Sequence, residues 1–497
     1  MLNRNNMLRR SVPAWVGAVA VAVLALGAAH QAQAQSAYLN ALLNARNDND
    51  QPMQTAQDNS QAPAGTAAPA APQPDGFLFN LQVGKSFGQA LADKGIYIDG
   101  SYINITDYNA GGGLNNGAYS DGDATLGINL DMNKIAGVQG AQIHFYVDDR
   151  QGPNAYGKGA GVGLDNSFVY GPNDAFRLTE LDWDQSLLND HIRILVGRIN
   201  DLGDFDTFDF SCNFVDYTCA NTSFFYFNDA NSADPVSAWG GRISFKPTLQ
   251  TYFRIAAEAA DGSGFYNASN EGWNLSMTHD NGVFVPVEMG YKTDFSSSSY
   301  PSQYDVGGFY DSTGYNYSGY MFDKSTMVAP LTSFASSGPR EGVWAQAAQM
   351  VYRPDMNSKR GITLFGEVEA MVNGYVPIQD EIDAGMVWRG PFAQRPNDSL
   401  NFVSEYYKLG NELVNYQTGT VIAGNSHLAN SMEIEQVTYN AVIAPGLVLA
   451  PFFEYIINPN GGGAAPTVKT KSATEVGGML VVALPDLLGL PTLARVN

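Results

Sequence analysis

Four aspartates, Asp201, Asp204, Asp206 and Asp209, follow Arg198 closely, and Phe205, Phe208, Phe210 and Phe214 are interleaved with them. Carboxylates and a guanidinium can each bond two hydroxyl groups at once. A phenyl ring offers flat apolar area to a C–H face. Together these groups suit a polyhydroxylated solute, with hydroxyls around its rim and C–H bonds on its faces. The plainer alternative is that the phenylalanines pin a loop and the aspartates are merely solvated. That alternative suits any single residue; the recognition reading suits the cluster. The four aspartates also raise the question of calcium. Their spacing lacks the glycine and the distal glutamate that an EF-hand loop needs at set positions, so no metal and no cofactor is assigned.

Two short strands must hold this stretch. From His191 to Gly197, Ile192, Ile194 and Val196 alternate with His191 and Arg193; from Trp239 to Lys246, Trp239, Ile243 and Phe245 alternate with Arg242, Ser244 and Lys246. Apolar residues on one face and cations on the other predict strands with oil on one side and water on the other. The segment between them is too long for a turn, and its aromatics argue against disorder. It is expected to fold into or over a pore. Arg193, Arg242, Arg254 and Glu258 then project from the watery face of the wall, with a stiffening Arg–Glu network as the bland alternative. Opposite charges across a narrow opening orient dipolar solutes and pass no net charge cheaply.

The rest of the chain supports a membrane setting. Residues 1–34 read as a secretory signal peptide: basic start, apolar run from Trp15 to Ala29, exit at Ala32-Gln33-Ala34. Residues 35–75 form a low-complexity periplasmic linker rich in Ala, Pro and Gln, with a possible short helix at Ser36–Asp48. Removing the signal's Arg4, Arg9 and Arg10 leaves 24 cations against 49 acids, a net charge of −25 that disfavours nucleic acid.

No later run is long and apolar enough for a membrane helix, which leaves a closed β-barrel as the route across a bilayer. Period-2 alternation recurs through residues 76–497, as at Ile143–Asp148, Tyr252–Glu258, Ile362–Glu369 and Leu447–Tyr455. Charges such as Arg254 and Glu367 sit well inside such strands, and Tyr102, Trp239 and Tyr455 fall where an aromatic girdle would lie. At roughly 26 residues per strand and connection, the stretch gives about 16 strands. The fold class is therefore all-β, a transmembrane antiparallel barrel with infolded constriction loops. Cys212 and Cys219 are close in sequence in an exported chain and are expected to form a disulfide. Motifs of serine hydrolases, zinc proteases and phosphate-binding loops are absent, and the reading is not an enzyme.

Ile194–Asp204 (ILVGRINDLGD), Trp239–Thr248 (WGGRISFKPT) and Glu435–Pro459 (EQVTYNAVIAPGLVLAPFFEYIINP) resemble the carbohydrate-selective porins of the OprB family. The resemblance implies an outer-membrane porin of Gram-negative bacteria that passes glucose and other small sugars by diffusion, as a monomer or homotrimer in lipid. It also implies an eyelet narrowed by infolded loops and lined by charged residues; the candidates are Arg198, Asp201, Asp204, Asp206, Asp209, Arg242, Arg254 and Glu258. Polyols or organic acids are alternative solutes, and a soluble exported glycan-binding or glycan-hydrolysing β protein is the alternative class. The chain ends LARVN rather than on an aromatic residue, so the closing strand is expected at Glu475–Leu484 with a tail behind it.

Overall fold

A computed structural model of the protein describes residue 78 and residues 80–493, apart from parts of 154–174, 201–203, 216–234, 261–270, 278–281, 314–337, 375–377, 412–428 and 460–470. The expected signal peptide and the linker, with its helix at Ser36–Asp48, lie outside the described residues.

The first quarter of the sheet is β1 (Ile96–Gly113), β2 (Gly117–Asp131), β3 (Ala141–Gln151) and β4 (Ala175–Leu187). It continues with β5 (Ile192–Ile199), β6 (Ala238–Phe245), β7 (Thr251–Ala260) and β8 (Gly282–Lys292). Next come β9 (Ser302–Asp311), β10 (Arg340–Tyr352), β11 (Gly361–Asn373) and β12 (Ile378–Arg389). The last are β13 (Ser399–Leu409), β14 (Ser431–Ala444), β15 (Leu447–Ile457) and β16 (Lys471–Ala483). Each pairs antiparallel with its sequence neighbours, and β16 pairs back onto β1, from Ser101↔Ala483 to Gly113↔Lys471. These sixteen strands, among the described residues, close a barrel, as the alternation predicts.

The layering is the reverse of a soluble β protein. Along β15, Leu449, Phe453 and Tyr455 are exposed while Val448, Ala450 and Glu454 are buried. Along β11, Leu364 and Val368 are exposed while Glu367 and Glu369 are buried. Acids inside and aliphatic side chains outside require lipid around the barrel and a polar lumen within. Among the described residues no helix is long and apolar enough to cross a membrane. Tyr102 and Tyr455 are exposed, as a girdle requires, and Trp239 is half-buried.

The strand ends bounding 132–140, 188–191, 246–250, 293–301, 353–360, 390–398 and 445–446 lie at one end of the barrel, and those bounding 152–174, 200–237, 261–281, 312–339 and 410–430 at the other. Outer-membrane barrels turn tightly on the periplasmic side and carry long loops outside. The first end is thus periplasmic, and the first and last described residues meet there. Helix α1 (Lys85–Ala92) follows residue 84; α2 (Met132–Ala136) caps the turn after β2; α3 (Leu484–Leu488) follows β16. The Gly84 N–H donates to Leu488 O at 2.8 Å, and Gln82 Nε2 to Asp486 O at 3.0 Å. A Cβ on Gly88 would lie 2.6 Å from Pro491, so only glycine lets α1 approach the tail this closely.

The closing strand differs slightly from the expected Glu475–Leu484. It begins at Lys471 and stops at Ala483, because Pro485 has no N–H for the ladder and its fixed φ starts α3. The tail then seals against α1.

Candidate functional site

Residues 204–215, in the connection between β5 and β6, run inside the ring and touch inward-facing side chains over half its circumference. Asp204 is 3% exposed and forms an ion pair with Arg242 of β6. Its main-chain oxygen accepts from Arg254 Nη1 of β7. The Asp206 N–H donates to Glu288 Oε2 of β8 at 2.9 Å, and Arg254 lies 3.6 Å from the other oxygen of Glu288. Gln303 of β9 and Gln346 of β10 both donate to Thr207 O, at 2.8 and 3.3 Å. Near the periplasmic end, Lys292 Nζ meets Asp209 at 2.5 Å. The segment then crosses to the far wall, where the Val215 N–H donates to Gln436 Oε1 of β14 at 3.0 Å and Asn440 Nδ2 to Asn213 O at 3.3 Å.

The local reasons are polar and aromatic. Phe208, Phe210 and Phe214 pack on Phe365 of β11, with ring centroids 5.6, 5.0 and 5.9 Å away. Phe205, Phe208 and Phe214 are buried, so these rings pin the segment to the wall, and only Phe210 keeps part of its surface. The plainer alternative, pinning, thus describes Phe205, Phe208 and Phe214. Behind Glu288, Trp344 lies flat over Gly307, where a Cβ would fall 2.1 Å from the indole, and donates Nε1–H to Glu288 Oε2 at 3.3 Å.

Arg242, Arg254, Asp204 and Asp206 therefore come together as one group. Glu258 is buried on the inward face of β7, opposite Gly240, whose missing side chain leaves it room. Asp209 stands apart at the periplasmic mouth, its side chain 61% exposed. Arg198 departs from the expected arrangement: it is in register with Leu181 and Trp239, on the outward pleat. It donates to Ser237 Oγ at 3.2 Å and to Asn274 O at 3.5 Å, under residues 271–277, which lie against the outside of β4. Asp201 lies outside the described residues. So does Cys219; Cys212 is buried in the turn Ser211–Asn213 against the apolar inner wall of β1, β15 and β16.

Charge is distributed unevenly round the ring. Arg193, Arg242, Arg254 and Lys292 belong to β5–β8, whereas buried Glu367, Glu369, Glu381, Asp383 and Glu405 belong to β11–β13. In the turn after β6, Lys246 is pushed down to about 8, first by burial, then by Arg254, Arg193 and Lys292, with Asp190 opposing. Its charge is thus present below that pH and lost above it. The unfolded chain holds this proton longer, so the group's contribution to stability rises between about pH 8 and 10.5. Raising the pH from 7 to 9 is expected to increase the channel's preference for cations, read as a shift of reversal potential in a salt gradient. Lys246→Met should abolish that step; a step of unchanged size in the variant would assign it to another group.

A family model described as "Carbohydrate-selective porin, OprB family" matches residues 115–484. Porin B of Pseudomonas aeruginosa is 25% identical over 394 residues, 75% of this chain and 85% of that protein. The high-pH structure of Pseudomonas putida OprB superposes with a TM-score of 0.68 at 22% identity, covering 80% of this chain and 96% of that one, and so has the same fold.

Proposed function

The chain belongs to the carbohydrate-selective porin family, and from that premise we propose that glucose and other small neutral sugars diffuse through a constriction formed by residues 204–215 and the walls they touch. Its setting is the Gram-negative outer membrane, and the family points to a channel rather than an enzyme. The observation that carries the finer reading is the clasp of Asp204 by Arg242 and Arg254. Guanidinium donors on one side and the carboxylates of β11–β13 on the other offer alternating partners to a ring of hydroxyls. The same field orients a neutral dipole and gives no single sign of charge an easy passage.

We also retain residues 1–34 as a signal peptide, 35–75 as a linker, and a Cys212–Cys219 bridge that stiffens the loop. Osmotic swelling of proteoliposomes tests the solute class. Glucose is expected to enter faster than mannitol, and both faster than gluconate. Equal rates for all three, or fastest entry of gluconate, would remove the sugar reading while leaving the barrel intact.

A further inference from the structure

Asp206, Glu367 and Glu369 each bring a carboxylate oxygen within 4.8 Å of the other two. Asp206 comes from the infolded segment; Glu367 and Glu369 occupy successive inward positions of β11. Three acids together are not by themselves a site. What points to a ligand is Glu369, which is 3% exposed and whose two carboxylate oxygens both lack a hydrogen-bond donor. Glu367, 6% exposed, leaves Oε1 without a donor as well. Among the described residues neither glutamate has a Lys or Arg partner. The neighbouring strand adds to the negative charge, with Asp383 in register with Glu367 and Glu381 with Glu369. The nearby donors are engaged elsewhere: the Asp206 N–H and the Trp344 indole both go to Glu288. Buried carboxylates without a counter-charge are costly, and a metal ion is one of the few partners that removes the cost.

We propose that Asp206, Glu367 and Glu369 bind one calcium ion, which clamps the infolded segment to β11. An all-oxygen donor set selects hard cations over transition metals. Calcium–oxygen distances of about 2.3–2.6 Å allow two ligands of one ion to stand ~5 Å apart, whereas magnesium, at about 2.0–2.1 Å, draws them to within ~4 Å. The three donor oxygens lie within 4.8 Å of one another, a spread that one calcium ion can bridge. Water fills the positions that the three side chains leave. The donor set is assembled by the fold, from one loop residue and two residues of a distant strand, which is why it has no loop-type spacing in the sequence. The proposal is independent of which solute the pore passes.

The test uses the full chain, purified in detergent, treated with EDTA and dialysed. Equilibrium dialysis with radiolabelled calcium should find one more ion per chain on the wild type than on Glu369→Gln. Millimolar calcium should raise the temperature at which the wild type loses its unheated gel mobility, and should do so more than millimolar magnesium. Glutamine keeps the shape and removes the charge, so Glu369→Gln should retain the folded mobility and lose the calcium shift. Glu367→Gln serves the same purpose should the first variant fold poorly. Equal calcium counts in the wild type and a folded variant overturn the proposal, and so does a calcium shift of full size that persists in the variants.

Discussion

Arg242→Ala is expected to loosen the constriction while leaving the barrel assembled. The guanidinium is 3% exposed and pairs with Asp204, which is as deeply buried. Removing one partner of a buried pair leaves the other charge uncompensated, at a cost of about 3–5 kcal/mol. The strands are held by backbone ladders on either side of Arg242, so that cost falls on the docking of residues 204–215. The segment should move from β6, and the lumen should lose one cation. Single-channel conductance should rise and selectivity should shift toward cations. The double variant Asp204→Ala/Arg242→Ala should recover most of the lost thermal stability, because no lone charge remains, yet keep the raised conductance. Wild-type conductance in a folded Arg242→Ala would show that the pair lies away from the narrowest point.

Phe365→Ala should have the second largest effect, through packing rather than charge. Phe365 receives the rings of Phe208, Phe210 and Phe214. Aromatic pairs of this kind contribute about 0.5–1.5 kcal/mol each beyond area burial, so three are on the order of 2–4 kcal/mol. Near 1.4 kcal/mol per tenfold, this would raise the undocked population of the segment by roughly 30- to 1,000-fold. Current traces should show frequent excursions to a wider state. Phe365→Leu should lie between the two. The barrel itself should stay assembled, since the ring packs on the segment and the β11 ladders run through the backbone. Traces as quiet as the wild type's would mean that the polar contacts alone hold the segment.

Much of this architecture is legible in the sequence, because a barrel wall writes its two environments alternately along each strand. Parity alone puts Arg242, Arg254 and Glu258 in the lumen, and all three face inward. Parity also carries Glu288, between Val287 and Met289, and so offered a signal for a residue the sequence reading passed over. Its bond to the Asp206 N–H is a different matter. Where a long loop lands depends on contacts between residues far apart in the chain, and nothing local encodes them. Gln303, Gln346 and Phe365 belong to the same class.

Arg198 fails for the converse reason. Its strand parity points outward, and the segment 271–277 that shelters it comes from another connection. The phenylalanines were visible as a group, but burial decided their role: Phe205 at 0% and Phe214 at 1% exposure have no face left for a solute.

We propose that neutral sugars are held briefly at a constriction built from residues 204–215 and the cations of β6 and β7. Reversible block of the single-channel current by glucose tests it most directly. Concentration-dependent, saturable block is expected in the wild type, and it should weaken in Arg242→Ala and Arg254→Ala with the barrel still folded. A current that falls only in proportion to bulk viscosity, without saturation and identically in the variants, would contradict it.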